Sequence, residues 1–276
     1  MEKITSRQNK TVREAAALLS SAEERAARGE FLCEGARLCQ DAARSGIEVL
    51  RCFVTAQALE KYAAYLQPVL ERARQSYLVA DHVAGLLSST KSPQGVFCQC
   101  RWPQGLLAGD AAGGGSCAVL EDLQDPGNLG TILRTAEALG IGRVVLLGDC
   151  CDPLSPKALR ASMGAVFRLG LSLERSRQGL FSRLRREGFR LLASVPDSAA
   201  LPVTEVDFSQ GPCAVFIGNE GNGLSPVSYT HLDPQAAEIA LALLAADVGV
   251  VARLHHGLFG HFKVAGLSAP IPLGKL

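Results

Sequence analysis

The stretch from Glu121 to Gly140, EDLQDPGNLGTILRTAEALG, constrains the fold more than any other part of the chain. It follows the apolar run Ala118–Leu120, turns through polar residues and then opens a helix. Asp125-Pro126 supplies an N-cap and a proline at the first helical position. Leu129, Ile132, Leu133, Ala136 and Leu139 recur at helical spacing, and Gly140 stops the helix. Strand, turn and helix in this order predict a βαβ unit in a mostly parallel sheet. Downstream, the run Ala214–Ile217 leads into a second glycine-rich turn, Ile217–Leu224, IGNEGNGL. In α/β proteins ligands bind beyond the carboxyl ends of the strands, so two such turns point to a built site.

The same alternation recurs along the chain. Thr11–Ser20 and Gly35–Arg44 carry helical periodicity, and Asp81 reads as the N-cap of a helix through Leu87. Phe31–Cys33, Leu50–Val54, Tyr77–Ala80 and Val96–Cys100 read as strands. Val144–Leu147 and Phe189–Ala193 read as strands on either side of a basic helix, Gly179–Gly188. The predicted organisation is a small α/β domain at 1–101, a linker at 102–116, a second α/β domain at 117–226 and an atypical tail at 227–276. The linker carries GDAAGGGS, whose GGG is no phosphate loop because no helix follows it.

At 276 residues the chain can hold one large or two modest domains, and 47% apolar with 20% charged residues describes a globular protein. The net charge of +1 gives no global sign of nucleic-acid binding. Local charge differs: nine basic residues from Lys157 to Arg190 face only Glu174 and Glu187. A solvated helix face and a phosphate-contacting surface both account for that run. Nine cysteines show no C-x-x-C pair. Cys33, Cys39, Cys52, Cys117 and Cys213 lie in or beside apolar segments and read as buried hydrophobes in a reducing cytoplasm. The start, MEKITSRQNK, is charged from its second residue and does not read as a signal peptide. The longest apolar stretch, Ile239–Ala246, is too short to span a bilayer, so no membrane partner is expected.

Arg134 falls off the apolar stripe of its helix, as exposed arginines commonly do, and Asn128 reads equally as a cap or turn residue. Glu220 lies between Gly218 and Gly221, beside Asn219 and Asn222. Glycines there let backbone N–H groups approach a ligand, and the carboxylate can orient a cation or hydroxyl; a tight polar loop is the plainer explanation. GNEGNG lacks the residue order of a dinucleotide or nucleoside-triphosphate loop.

Taken together, EDLQDPGNLGTILRTAEALG and IGNEGNGLS resemble the first two signatures of the SpoU family of RNA ribose 2′-O-methyltransferases, within the SPOUT superfamily. DPLSPKALRASMGAVFR, at 152–168, resembles the stretch between them. FLCEGARL and SSTKSPQGVF are similar to parts of the ribosomal-protein-like RNA-binding domain that many members carry. The resemblance covers residues 1–226. It implies a parallel-sheet domain closed by a C-terminal trefoil knot, a homodimer, and S-adenosylmethionine as cofactor with no metal. It further implies Asn128, Arg134 and Glu220 as the catalytic constellation, and Ser194, Val195, Gly218, Asn219, Glu220, Gly221 and Leu224 around the cofactor. RNA contacts are expected from Arg7, Lys10 and Arg13, and from Lys157, Arg160 and Ser162. The implied substrate is ribosomal RNA; transfer RNA and a non-catalytic RNA-binding relative are the alternatives.

The family's third signature has no counterpart after Ser225. A diverged third region, a natural non-catalytic relative, and a frameshift or chimeric join between Ser225 and Pro234 all account for this. The third fits best, because the match is unbroken up to that point. His255, His256 and His261 have no companion cysteine or carboxylate cluster and do not read as a metal site.

Overall fold

The computed structural model describes residues 1–102, 115–195, 206–232 and 238–240. They divide into two compact units. The first takes in the described part of Met1–Asp110 with Gln124–Arg134 and Cys151–Leu171, and the second takes in the remainder.

The first unit contains β1 (Glu2–Ile4), α1 (Lys10–Ser20), α2 (Ala22–Arg28), β2 (Glu30–Glu34), α3 (Ala36–Arg44), β3 (Val49–Val54), α4 (Ala56–Lys61), α5 (Ala63–Arg72), β4 (Gln75–Val79), α6 (Asp81–Ala84) and β5 (Val96–Arg101). Its five strands lie in the order β1-β4-β3-β5-β2. β1, β4 and β3 run parallel, whereas β5 is antiparallel to both β3 and β2. Val12, Leu18, Leu32, Phe53, Leu87 and Phe97 form its core. Asp81 is not a cap: α6 starts at Asp81 itself, Ala80 holds the cap position, and the helix ends at Ala84. The acid still serves the helix, because a carboxylate in the first turn complements the macrodipole. Cys33, Cys39, Cys52, Cys117 and Cys213 are buried as expected, and Cys98 and Cys100 join them. Burial pushes the Cys39 thiol up to about 12.

The remaining elements are β6 (Cys117–Glu121), α7 (Pro126–Ala138), β7 (Arg143–Leu147), α8 (Pro156–Ser162), β8 (Gly170–Glu174), α9 (Arg177–Arg186), β9 (Arg190–Val195), β10 (Cys213–Ile217), α10 (Pro226–His231) and β11 (Glu238–Ala240). Six strands form a sheet ordered β11-β9-β10-β6-β7-β8. The pairs β11–β9, β9–β10, β10–β6 and β6–β7 are all parallel. Val119, Val145, Leu147, Leu184 and Phe216 are buried beneath it, and the Phe181 and Phe216 rings stack 5.0 Å apart. Burying each such side chain contributes about 1.5–3 kcal/mol.

The α7 helix obeys its sequence closely. Leu129, Leu133, Ala136 and Leu139 are buried and Ile132 half-buried. Asp125 accepts the Asn128 N–H at 2.8 Å, which satisfies one of the first-turn donors. At the other end Gly140 takes φ +74. Its N–H bonds to the Glu137 carbonyl while Ile141 N–H reaches Ala136, the doubly bonded stop that a left-handed residue permits. Within the first unit, a Cβ at Gly130 would lie 2.5 Å from Ala161 Cβ and 2.7 Å from the Ala158 carbonyl. The glycine therefore sets how closely α7 and α8 approach.

Candidate active site

β10 and β6 are neighbours with Ile217 opposite Leu120, so the two signature turns leave the same edge of one parallel sheet. In the second unit the turn after β10 is a hairpin-like loop, with Asn219 and Gly223 exchanging backbone hydrogen bonds at 2.9 Å. Asn219 Oδ1 accepts the Gly221 and Asn222 N–H groups at 2.9 and 3.0 Å, which shapes the loop from within. Asn219 Nδ2 donates to the Asp122 carbonyl at 2.8 Å and ties this loop to the end of β6. A Cβ at Gly218 would fall 2.1 Å from Gly223 C, so no side chain fits there. Glu220 and Gly221 are exposed, and Leu224 is buried. Ser194 and Val195 close β9, with Ser194 opposite Ile217, half-buried and at the same edge.

Beneath this loop lies a carboxylate that sequence reasoning did not single out. Glu121 is fully buried. Its Oε1 accepts Arg177 Nε at 2.6 Å and Ser225 Oγ at 2.7 Å. Arg177 Nη2 also reaches Asp122 Oδ2 at 2.6 Å, and the Glu121 hydrogen bond is the leading reason its guanidinium holds its proton more tightly than usual. Asp122 takes φ +51, a left-handed conformation unusual for a residue with a Cβ. These partners lie 56 and 104 positions apart along the chain, so no local pattern announces them.

Asn128 and Arg134 belong to the first unit. Asn128 is the third residue of α7, half-buried, and Arg134 is exposed with Nη1 3.4 Å from Met163 Sδ. Lys157, on α8, pairs with Asp125 Oδ2 at 2.5 Å. That bond, followed by the Asn128 N–H, holds the Asp125 carboxyl below the usual carboxylate range. Arg160, also on α8, donates to Ser89 and lies 3.6 Å from Glu34. Ser162 departs from its expected RNA contact: it is fully buried and its hydroxyl donates to the Leu159 carbonyl at 2.9 Å. Arg7, Lys10 and Arg13 are exposed near the start of α1.

The basic run is not one face. Arg177 is bound to Glu121, Arg183 pairs with Glu174 at 2.6 Å, and Arg190 donates to the Asp207 carbonyl. Arg175 and Arg186 are exposed. Among the described residues no group of three or more His, Cys, Asp or Glu side chains is placed to hold a metal ion, and no helix is long and apolar enough to cross a membrane. His255, His256 and His261 lie outside the described residues.

Comparison with known proteins agrees with this geometry. Residues 116–242 match the SpoU rRNA methylase family, and residues 9–98 match the MRM3-like substrate-binding domain. An uncharacterised tRNA/rRNA methyltransferase of Synechocystis is 36% identical, covering 90% of this chain and 91% of that protein. A 23S rRNA guanosine 2′-O-methyltransferase of Bacillus subtilis is 28% identical over 89% of this chain and 97% of its own length. The structure of the SpoU methyltransferase AviRb of Streptomyces viridochromogenes, in complex with AdoMet, superposes with a TM-score of 0.73 at 26% identity, covering 91% of this chain and 96% of that one. With two glycine-rich turns on one edge of a parallel sheet and relatives matched along nearly their whole length, the chain belongs to the SpoU rRNA methylase family.

Proposed function

We propose that this protein transfers a methyl group from S-adenosylmethionine to a ribose 2′-hydroxyl in RNA, with ribosomal RNA as the substrate. The observation that carries the reading is the Asn219–Asp122 bond, which joins the two signature turns at the edge where α/β sheets bind ligands. Gly218 lets the Gly223–Leu224 backbone pack against it, a closeness that any Cβ would prevent and that gives the loop its shape. Ser194, Val195, Gly218, Asn219, Glu220, Gly221 and Leu224 are the residues that would surround the cofactor. Bound S-adenosylmethionine supplies an electrophilic methyl on a sulfonium.

The chain's own residues then position and polarise the acceptor. Holding the hydroxyl in line with the methyl provides much of the acceleration. A guanidinium is a poor base, so the role of Arg134 is to hold a phosphate or stabilise the developing alkoxide. Asn128 orients the substrate from the first turn of α7, and Glu220 orients the hydroxyl. Arg7, Lys10 and Arg13, with Lys157 and Arg160, supply electrostatic capture of the RNA backbone. The enzyme acts in the cytoplasm as a homodimer; the trefoil knot that the resemblance implies falls largely on residues outside those described. The domain limits proposed are 1–101 for substrate capture and 117–226 for catalysis.

Incubation of unmodified ribosomal RNA with the purified protein and methyl-tritiated cofactor, followed by nuclease mapping, tests the reading. Label retained at an alkali-resistant dinucleotide is the expected result. One observation favours a second reading, a non-catalytic RNA-binding relative: the third signature is missing after Ser225. No calorimetric binding of the cofactor at millimolar concentration would establish it. Reading all frames of the source gene downstream of Ser225 tests the frameshift, and an uninterrupted native frame encoding 227–276 would rule it out.

A further inference from the structure

The first unit holds a cleft of about 380 Å³, of whose lining only Arg160 has a role in the proposed function. Arg37, Asp41, Gln94, Arg160, Met163 and Arg168 are among its lining residues. That volume lies at the small end of the range for pockets that hold small ligands, roughly 300–1,000 Å³. Three guanidinium groups face two carboxylates, and one of these, Glu34, already accepts hydrogen bonds from Ser88, Ser89 and Thr90. Arg37 is exposed, and its guanidinium has no hydrogen-bond or ion-pair partner among the described residues. A cationic fork without a protein partner in a concave site is suited to a phosphate, which it can bind with two parallel hydrogen bonds.

Met163 is the second observation. It is 49% exposed and holds φ +50, one of two non-glycine residues with positive φ among those described. Gly164 follows at φ +82, where a Cβ would meet Asp41 Oδ2 at 2.9 Å and Arg168 Nη1 at 3.0 Å. Arg168 donates to the Met163 carbonyl at 3.4 Å, and Arg134 lies 3.4 Å from its sulfur. A large apolar side chain held exposed on a left-handed backbone, between two arginines, is a costly arrangement of the kind found at ligand sites. A thioether also makes favourable contacts with aromatic rings, nucleobases included.

We infer that this cleft receives one nucleotide of single-stranded RNA beside the ribose to be methylated, its phosphate on Arg37 and Arg160 and its base against Met163. The inference rests on the RNA-methylating reading above, through the contact between Arg134 and Met163, and gives that reading a flanking subsite. Base contact in an unpaired strand is how proteins usually read RNA sequence.

The test uses the full chain, a fluorescein-labelled single-stranded RNA dodecamer of mixed sequence, and the same dodecamer carrying 4-thiouridine. Anisotropy titrations at several salt concentrations should show Arg37→Gln binding about tenfold more weakly, with the salt slope reduced by about one, as loss of a single phosphate contact requires. Met163→Ala should weaken binding about two- to tenfold and leave the slope unchanged. Both variants should keep the wild-type thermal midpoint and cofactor affinity. Photocrosslinks should map to Arg37 or to the 160–168 segment. Wild-type affinity and slope in Arg37→Gln, or crosslinks that fall elsewhere on a protein that does methylate ribosomal RNA, would overturn the subsite. A wild-type protein that crosslinks at 160–168 but transfers no methyl would instead overturn the catalytic reading and support the cleft as an RNA site.

Discussion

Arg177 Nε sits 2.6 Å from Glu121 Oε1, joining the first residue of α9 to the buried last residue of β6. The pair is lopsided, since the arginine side chain is 28% exposed and the glutamate 1%. Removing the arginine strands a carboxylate in the interior. Arg177→Ala is therefore expected to cost on the order of 3 kcal/mol, at the low end for a broken buried pair because water can reach the vacated side. Glu121→Gln, which keeps the shape and removes the charge, should cost less. Urea denaturation of both variants checks this, and a loss below about 1 kcal/mol for Arg177→Ala would show that Glu121 finds another partner.

Arg134→Ala should abolish methyl transfer while leaving overall RNA affinity within a few fold of wild type. Arg134 is exposed and touches one thioether, so its loss leaves the fold undisturbed. Parallel measurement of methyl transfer and RNA binding decides the matter. Equal loss of both would make the residue a binding contact rather than a catalytic one.

Gly218→Ala should impair cofactor binding more than stability. The added methyl collides with Gly223 at 2.1 Å, and the loop must open to relieve it. Overpacking of this kind costs roughly 1–3 kcal/mol, which a domain of this size survives. Calorimetry should give a weakened or absent cofactor isotherm with a still-cooperative thermal transition. Wild-type affinity would place the cofactor away from this loop.

Glu34 makes stability depend on acid. Burial by itself would raise its pKa, but hydrogen bonds from Ser88 and Thr90, followed by those from Ser89, hold it below the usual carboxylate range. A carboxyl depressed in the folded state stabilises above its unfolded pKa of about 4.3, and that contribution disappears as pH falls through the lower folded value. Wild type should therefore exceed Glu34→Gln by about 1–3 kcal/mol near neutrality, the worth of hydrogen bonds to a charged group. The gap should narrow as pH drops below about 4. Thermal melts of the two proteins across this range check it, and a constant gap would remove the carboxylate from the explanation.

The parts of the molecule that were legible in the sequence are those set by local periodicity. The α7 stripe, its Asp125 cap and its Gly140 stop lie within one 20-residue segment, and the strands that flank it are short apolar runs. Sequence reasoning names none of α2, α4, α5, α8 and α10, and in α2 and α8 even readable caps do not announce the helix. Ser21 precedes α2 and accepts the Glu24 N–H, and Ser155-Pro156 opens α8. The sequence of each holds too little apolar stripe to draw attention, because tertiary contact rather than amphipathicity sustains it. The site divides in the same way. Glycines and asparagines in the two turns were visible, since turn chemistry is local. Glu121, Arg177 and Ser225 were not, because only the pairing of β6 beside β10 brings them together. The handedness of Met163 was equally hidden: nothing about methionine favours φ +50, which it takes as the left-handed C-cap of α8, its N–H bonded to the Arg160 carbonyl.

The left-handed backbone at Asp122 restricts the order in which this protein can change. Glycine there would relax the conformation by about 1 kcal/mol. It would also discard the carboxylate that binds Arg177 at 2.6 Å and the Asp149 N–H at 2.8 Å. Asparagine would keep the tolerance for positive φ but leave Arg177 with half its counter-charge. Every single step away from aspartate thus passes through a less stable protein unless position 177 has already changed. Changing Arg177 first is itself costly, because it strands the buried Glu121, so the two residues are constrained to drift as a pair.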